Sequence, residues 1–140
     1  MVRQPFKASF KAGSFDFMLL TAHTSPSINI QELQGLEWFY KQAEKEGEKD
    51  IIILGDLNAD CSYLKASDSI SLKDPGYIWL IPDSIDTTVS STDCAYDRII
   101  FKSPTSEDFT GNYGIETNIT SDVSDHYLIW AEFYTDRDSD

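Results

Sequence analysis

Four short motifs follow one another along the chain and contain residue types suited to metal-assisted hydrolysis. They are Thr21–His23, Gly55–Ala59, Tyr96–Ile99 and Ser124–His126. Together they hold both histidines of the chain, three aspartates and one asparagine. Histidine can move protons near neutral pH, and carboxylate oxygens bind hard divalent cations. The set therefore predicts a hydrolytic site that works with a divalent cation.

Phosphodiester hydrolysis needs a base that activates water, a group that orients the base, and cations that neutralise developing charge. We predict that His126 is the base and that Asp97 orients it. Asp56 and Asp125 are candidate ligands for Mg²⁺. Asn58 would steady a phosphate oxygen and assist the metal, because a spacing of two puts it on the same side as Asp56 in an extended chain. Each residue alone is more often structural, so this interpretation depends on their conjunction.

The composition bounds the class of protein. A chain of 140 residues with 41% hydrophobic residues fits one domain with an ordinary core. A net charge of −13 argues against a broad basic surface for nucleic acid, although bound cations could reverse the field locally. Solubility alone would explain most of the acids. We expect no membrane span and no signal peptide in residues 1–7. The cysteine pair and the glycosylation sequon Asn118–Thr120 point weakly to a secreted or extracytoplasmic protein.

The elements that must position these motifs follow from the apolar patterns. Strands are predicted over Phe6–Phe10, Phe15–Ala22, Asp50–Leu54, Tyr77–Ile81, Asp97–Lys102 and Tyr127–Tyr134. Gly55 would end the third strand. A helix is predicted from an Asn29 cap with Glu32 as its reciprocal partner to a stop at Gly47. We predict a short helix and loop over residues 61–71, a polar loop over 103–123, and a frayed acidic tail over 135–140.

This order of elements is α/β, with more strands than helices. In most of the motifs the polar group lies at the end of an apolar strand, which is where open α/β sheets place their ligands.

The motifs and their order resemble the endonuclease/exonuclease/phosphatase superfamily, and within it the deoxyribonuclease I-like group. The resemblance extends from about Arg3 to Phe133. It implies an α/β (α+β) sandwich in which two packed sheets are flanked by helices. This chain resembles only the C-terminal half of that fold, over residues 1–134, with 135–140 as an acidic tail. The segments that carry the resemblance are Leu20–His23, Gly55–Tyr63, Trp79–Ser84, Asp86–Thr88, Cys94–Ile99 and Ser124–Tyr127.

The resemblance also implies a role for individual residues, with DNA as the substrate and Mg²⁺ or Mn²⁺ and Ca²⁺ as cofactors. The implied catalytic residues are His23, His126 and Asp97. The implied metal- and phosphate-binding residues are Asp56, Asn58 and Asp125. The implied contacts to the DNA backbone come from Arg3 and Tyr96. The implied structural calcium loop consists of Asp86, Thr88, Ser90 and Thr92, and the implied disulfide joins Cys61 to Cys94.

The half that this chain does not resemble would supply an asparagine, a metal-binding glutamate and the glutamate that pairs with the first histidine. We therefore expect His23 to have no orienting carboxylate, and the helix acids Glu32, Glu37, Glu44 and Glu46 to form a solvated face. An apolar sheet face would also lack a cover, which predicts either a homodimer or assembly with a separate N-terminal half. The residues expected on such faces are Leu19, Ile52, Leu54, Ile100, Ile129 and Phe133.

Three functions fit this sequence. The first is a divalent-metal-dependent endonuclease acting on DNA, either by itself or when a partner or an N-terminal half completes it. The second is an inactive half-domain that serves as a binding or assembly module. The third is another phosphoesterase of the superfamily, acting on inositol phosphates or sphingomyelin. The context of Cys61 and Cys94 and the resemblance of the calcium loop favour the nuclease over the third.

Overall fold

The computed structural model describes residue 1 and residues 3–140, and within them two sheets carry the fold. The strands are β1 (Phe6–Ala12), β2 (Phe15–Thr21), β3 (Ile51–Asp56), β4 (Ile78–Trp79), β5 (Asp97–Phe101), β6 (Phe109–Glu116) and β7 (Leu128–Phe133). The helices are α1 (Asn29–Lys45) and the single turn α2 (Thr105–Asp108), with short 3-10 turns at Pro26–Ile28 and Ser71–Lys73.

The larger sheet has five strands in the order β1-β2-β3-β5-β4. Strands β1 and β2 form an antiparallel hairpin, as predicted, and β2 runs parallel to β3. Strand β5 pairs antiparallel with β3 on its other side. Strand β3 lies in the middle and begins with three buried isoleucines, which is the pattern of a strand covered on both faces.

Helix α1 covers one face of this sheet. Leu33, Leu36 and Tyr40 of the helix belong to the same buried cluster as Leu20 and Ile53 of the sheet. Ile100 also belongs to this cluster and is fully buried. The prediction that Ile100 lies on an uncovered face is therefore wrong, because β5 turns this side chain toward the helix.

The opposite face of the sheet packs against the hairpin of β6 and β7. A second apolar cluster there contains Ile52 and Phe101 in its buried part, with the partly buried members Phe17, Leu19, Leu54, Phe109, Ile129, Ala131 and Phe133 around them. A groove of about 280 Å³ remains between the sheet and the hairpin. Except for Ile100, the residues predicted for an apolar face thus lie on this one, and the hairpin covers it in part.

Three segment predictions are wrong. Residues 103–123 are not a loop, since α2 and β6 lie within them. The described residues 61–70 form no helix, only turns, with a 3-10 turn at Ser71–Lys73. The tail is not frayed, because the Ser14 N–H donates to Thr135 O at 2.8 Å and Ser139 donates to Asp108 Oδ2 at 2.6 Å. In each case contacts with residues distant in sequence decide the conformation.

The start of α1 differs from the predicted capping box. Asn29 is the first helical residue, and its Nδ2 donates to Asn58 O at 2.8 Å. Glu32 is fully buried and accepts from the Ser25 N–H through Oε2 at 2.6 Å. Glu37 is also buried, so the prediction of a solvated face is wrong for both glutamates. It is confirmed for Glu44 and Glu46, which are exposed.

Gly55 lies inside β3 instead of ending it, at the point where the chain passes close to β2. Its φ is +138°, and a Cβ built there would lie 2.2 Å from Ala22 O. Only glycine combines this backbone conformation with such a close approach. The strand can therefore continue to Asp56 while staying against the segment that leads to His23.

Replacing Gly55 with alanine is expected to lower the free energy of unfolding by at least about 3 kcal/mol, because a strained φ and a backbone clash add together. Gly47→Ala is the matched control, since Gly47 has φ +101° but nothing within 4 Å of its Cβ position. That control is expected to cost only about 1 kcal/mol. Urea unfolding of both variants measures the difference, and equal losses would contradict the close-approach argument.

Candidate active site

The predicted catalytic residues meet at one edge of the larger sheet. Asp56 ends β3 and is the register partner of Asp97, which begins β5. His23 follows the end of β2, where the Thr24 N–H donates to Asp56 O at 3.0 Å. His126 reaches the same edge from the segment before β7. Antiparallel and parallel pairing around β3 therefore brings residues from four separate segments together.

His126 and Asp97 form the shortest contact of the site. His126 Nδ1 lies 2.6 Å from Asp97 Oδ2, and both side chains are largely buried. A proton on Nδ1 donated to this carboxylate leaves Nε2 free to accept one. Burial acts to lower the pKa of His126, but the hydrogen bond and charge of Asp97 outweigh it, so that the pKa lies above its usual range. The pair has the arrangement that was predicted for a base and its orienter.

Thr87 holds this pair in place, although no role was predicted for it. Its Oγ1 accepts from the N–H groups of Tyr96 and Asp97 at 3.0 and 3.1 Å. Its carbonyl oxygen accepts from the Tyr127 N–H at 2.9 Å, directly after His126. Burial raises the pKa of the Asp97 carboxyl, and the contacts with Thr87 and His126 only partly offset that rise. Thr87 thus joins the strand that bears Asp97 to the segment that bears His126.

Asp56 lies between the two histidines. Its Oδ2 is 3.2 Å from His23 Nε2 and 3.7 Å from His126 Nε2. Asp56 is thus a carboxylate neighbour of His23. It contacts Nε2 and is also a candidate metal ligand, so the expectation that His23 has no orienting carboxylate stays a prediction. Ligand atoms of Asp56, Asp97 and His126 all lie within 4.8 Å of one another, a spacing that could hold a metal ion. The carboxylate oxygens of this group are the donor type that hard divalent cations prefer.

Asn58 and Asp125 are placed differently from expectation. The chain turns at Asn58, where φ is +45°, and its N–H donates to Asp56 Oδ1 at 3.1 Å. The positive φ means that the chain is not extended at Asn58, so the assumption of an extended chain is wrong. The buried Asn58 side chain donates from Nδ2 to Thr24 O at 2.8 Å. Asp125 is exposed and outside the cluster of close ligand atoms, and its charge acts on His126 from farther away.

The predicted substrate contacts lie on two sides of the site. The ring of Tyr96 lies 6.4 Å from that of His126 and 5.4 Å from that of Tyr63, measured between centroids. Tyr63 is partly exposed and extends this aromatic wall, which the sequence analysis did not single out. The exposed Arg3 is tied to Glu32, whose Oε1 accepts from the Arg3 N–H at 3.5 Å. Glu32 also holds Ser25, two residues after His23.

The loop predicted to bind calcium is compact and strongly hydrogen-bonded. Asp86 Oδ1 accepts from the N–H and the hydroxyl of Thr88 at 2.9 and 2.8 Å, and from the Cys94 N–H at 3.1 Å. Burial opposes ionisation of Asp86, but these donors hold its pKa below its usual range. Ser90 and Thr92 touch through their hydroxyls. The four predicted residues are thus close in space, with oxygen atoms of the type that calcium prefers.

A disulfide and a buried arginine hold the loops around the site in place. Cys61 and Cys94 form a disulfide, as the resemblance implied. Arg98 is fully buried, and it donates to Ile81 O, to Ala59 O at 2.8 Å and to Asp83 Oδ1 at 2.6 Å. In the motif Tyr96–Ile99, Asp97 is therefore a candidate catalytic residue and the adjacent Arg98 is structural. Their side chains point to opposite faces of the sheet at β5.

Replacing Asp97 with asparagine is expected to lower the pKa of His126, because the main group that raises it is lost. A raised folded-state pKa contributes stability that is fully present below the ordinary value of 6.5 and is lost as the pH rises through the raised value. The variant should therefore lose stability at acidic pH that the wild type has. An NMR titration of His126 in EDTA measures the pKa. Asp125→Asn, a more distant charge, should lower it less, and equal effects would contradict the assignment.

Removing the disulfide with the double change Cys61→Ser and Cys94→Ser is expected to lower the free energy of unfolding by about 4 kcal/mol in the chain-entropy model. The bridge closes a loop with a sequence separation of 33. Urea unfolding of the variant and the wild type measures the loss. Adding a reductant should destabilise the wild type to the level of the variant and leave the variant unchanged.

Comparisons with known proteins agree with this geometry. The chain is 34% identical to rabbit (Oryctolagus cuniculus) deoxyribonuclease-1 over 145 residues, which covers 91% of this chain and 52% of the relative. It is 35% identical to human (Homo sapiens) deoxyribonuclease-1-like 2, covering 84% and 44%. It is also 35% identical to rat (Rattus norvegicus) deoxyribonuclease gamma, covering 96% and 50%. No family model matches the sequence.

Among solved structures, the endonuclease domain of TRAS1, a telomere-specific non-LTR retrotransposon, superimposes with a TM-score of 0.71 at 14% identity. The superposition covers 96% of this chain and 63% of that domain, and it shows a shared fold. The chain spans about half the length of the curated relatives it matches. Over that length, the chain is a homologue of deoxyribonuclease 1 and the deoxyribonuclease 1-like proteins.

Proposed function

We propose that this chain carries the catalytic edge of a divalent-metal-dependent endonuclease that hydrolyses phosphodiester bonds of DNA. The observation that carries the proposal is the triad of His126, Asp97 and Asp56. His126 Nδ1 lies 2.6 Å from Asp97, while its Nε2 lies 3.7 Å from Asp56. Homology to deoxyribonucleases over about half their length supports DNA as the substrate.

The proposed chemistry begins with His126. Its Nδ1–H donates to Asp97, so Nε2 can take a proton from water as the water oxygen attacks phosphorus. The bond from phosphorus to the leaving deoxyribose oxygen then breaks, and that oxygen takes a proton. His23 is exposed on the other side of Asp56, and we propose it as the proton donor. Asp56 connects the two histidines and can exchange its contact with His23 for a cation.

The donors at this edge fit a hard divalent cation, for which we propose Mg²⁺ or Mn²⁺. We propose Asp56 as the central ligand. Asp125 and Asn58 are further candidate donors, although Asp125 lies outside the cluster of close ligand atoms and the Asn58 amide contacts Thr24 O. When bound, such a cation would neutralise charge that develops on the phosphate. We assign Ca²⁺ to the loop of Asp86, Thr88, Ser90 and Thr92. Because Thr87 lies inside this loop, an ordered loop would also keep Asp97 and His126 in register.

Substrate contact is proposed for Tyr96, Tyr63 and Arg3. The two tyrosine rings form an aromatic wall beside His126, where a sugar or base could stack. Arg3 is exposed, and the chain around it is attached to the helix through Glu32. With a net charge of −13, the protein would attract DNA through bound cations and local contacts instead of a general basic surface.

We propose that a complementary half completes this site by packing on the apolar groove between the larger sheet and the β6–β7 hairpin. Large apolar side chains are exposed at the hairpin, including Leu128 at 60% and Trp130 at 40%. An N-terminal half of the same fold or a second copy of this chain could cover them.

The disulfide further supports an oxidising, extracytoplasmic location. In the part of the chain that the structure describes, no helix is long and apolar enough to cross a membrane.

A second candidate function is an inactive binding or assembly module. One observation favours it. Asp56 Oδ2 lies 3.2 Å from His23 Nε2, so that it contacts His23 instead of being free for a metal. In this reading the disulfide and the calcium loop stabilise a surface that binds without hydrolysis.

A plasmid-nicking assay distinguishes the two functions. We expect nicking of supercoiled plasmid with Mg²⁺ and Ca²⁺, and a loss of roughly 10²–10⁴-fold in His126→Ala and Asp97→Asn, since each removes a part of the general base. Asp74→Asn changes an exposed acid elsewhere and should leave the rate unchanged. The oligomeric state is measured by light scattering in the same buffer.

The outcome also tests the need for a complementary half. If the wild type nicks DNA only as a dimer, a second copy completes the site. If neither wild type nor variants nick at any oligomeric state, the enzyme proposal fails for the chain by itself, and the binding module is favoured.

A further inference from the structure

A second group of carboxylates lies at the other end of β3, away from the catalytic edge. Asp50 directly precedes β3, Asp108 ends α2, and Asp138 belongs to the tail. Their oxygen atoms lie within 4.8 Å of one another. Asp50 precedes β3 and Asp56 ends it, so that the two carboxylates lie roughly 20 Å apart along the strand. The proposed nuclease chemistry does not use it.

The cluster is built into the fold and is not a patch of surface acids. Asp50 is 1% exposed and Asp108 is 0% exposed. The tail packs against Asp108 through one main-chain hydrogen bond and two hydrogen bonds to its carboxylate. The Tyr134 N–H donates to Asp108 O at 2.8 Å, and the N–H and hydroxyl of Ser139 donate to Asp108 Oδ2 at 3.1 and 2.6 Å. Asp138 is thereby brought against Asp50 and Asp108.

Several buried oxygens of the cluster have no hydrogen-bond partner among residue 1 and residues 3–140. They are both carboxylate oxygens of Asp50 and one oxygen each of Asp108 and Asp138. The hydroxyl of the fully buried Thr105 also has no hydrogen-bond partner among these residues. It lies near enough to Asp50 to act on its pKa but outside hydrogen-bond geometry. A buried carboxylate without a partner is costly, so such a group of oxygens calls for a ligand.

The charges around the cluster also favour a cation. Asp140 and Asp138 act on Asp50 from the tail, and burial with these charges raises the pKa of Asp50 to about 7. Asp16 lies nearby, with its N–H 3.4 Å from Asp138 Oδ2. Arg137 is one nearby cation, with its Nε 3.7 Å from Asp108 Oδ1 while half of its side chain faces solvent. Lys49 acts on Asp140, and Lys11 lies 3.7 Å from Asp16. Among the described residues, none of these cations forms a hydrogen bond with the buried oxygens of Asp50.

We propose that Asp50, Asp108 and Asp138 form a second divalent-cation site that fastens the C-terminal tail to the base of the larger sheet. The occupant fits Ca²⁺ best. Calcium accepts six to eight oxygens in irregular geometry, and the donors here come from three separate segments. The Thr105 hydroxyl and water would complete the shell. This site is independent of the proposed nuclease function and of the loop that begins at Asp86.

The test compares the wild type with Asp138→Asn and Asp136→Asn. Asp136 is the matched control, because it is an exposed acid of the same tail and lies outside the cluster. Calorimetric titration with CaCl₂ should show one binding event fewer, or one at least tenfold weaker, in Asp138→Asn only. At a free Ca²⁺ concentration 100 times Kd, the cation should raise the Tm of the wild type and of the control by roughly 10 °C more than that of Asp138→Asn. MgCl₂ in a parallel titration tests the choice of cation.

A second measurement shows where in the chain the cation acts. Amide hydrogen exchange of residues 134–140 should slow on addition of CaCl₂ in the wild type and in Asp136→Asn, and should stay fast in Asp138→Asn. An equal calcium response of all three proteins, in binding and in tail exchange, would overturn the proposal. A response to MgCl₂ but not to CaCl₂ would overturn the assignment of calcium.

Discussion

Burial of β3 on both faces is the constraint on which the rest of the structure depends. The strand pairs with β2 on one side and β5 on the other, with Ile53 opposite both Leu20 and Ile100. A slip of one residue in either ladder would turn its buried side chains to the wrong face. The register that the apolar residues enforce also fixes where the strand ends. Asp56 therefore arrives opposite Asp97, and the catalytic edge follows from the packing of the core.

Neighbouring groups stabilise the charged side chains at the edge of the sheet where Asp56 and Asp97 lie. Asp97 is buried, which opposes its ionisation, but it contacts His126 and lies beside the Thr87 hydroxyl. Thr87 also accepts main-chain donors from β5 and binds the segment after His126. One threonine thus connects the loop proposed for calcium with the proposed general base. Order in that loop and geometry at the catalytic pair are therefore coupled by direct contacts.

The two ends of β3 use acidic residues in different ways. At the carboxyl end, Asp56 stands between two histidines that can share or release protons. At the amino end, Asp50 is buried with other carboxylates and without a histidine nearby in the cluster. The first arrangement suits chemistry on a phosphate, and the second suits a static cation. Glu32 shows a third use, because it is buried to hold Ser25 and Arg3 near the segment of His23.

The sequence by itself determined the elements whose signal is local. Apolar runs predicted β2, β3, β5 and β7 to within a few residues, and the order of the motifs identified the homologues. Polar residues at strand ends were predicted to meet at one edge, and His23, Asp56, Asp97 and His126 do so. The implied disulfide is formed as well. These features depend on residue type and short spacing, which a single sequence carries.

Only the tertiary structure decided what depends on partners distant in the chain. Strand β6 carries glycines and polar residues and is a strand because it pairs with β7. Asn29 is not a cap because the 3-10 turn Pro26–Ile28 precedes it and its own backbone is already helical, with φ −54° and ψ −48°. Its amide donates to Asn58 O, which is distant in sequence. His23 gained a carboxylate neighbour because Gly55 lets β3 approach β2 closely enough to bring Asp56 beside it. The local pattern of apolar residues indicates which side chains prefer burial. The pairing of the strands in three dimensions then decides which groups face one another.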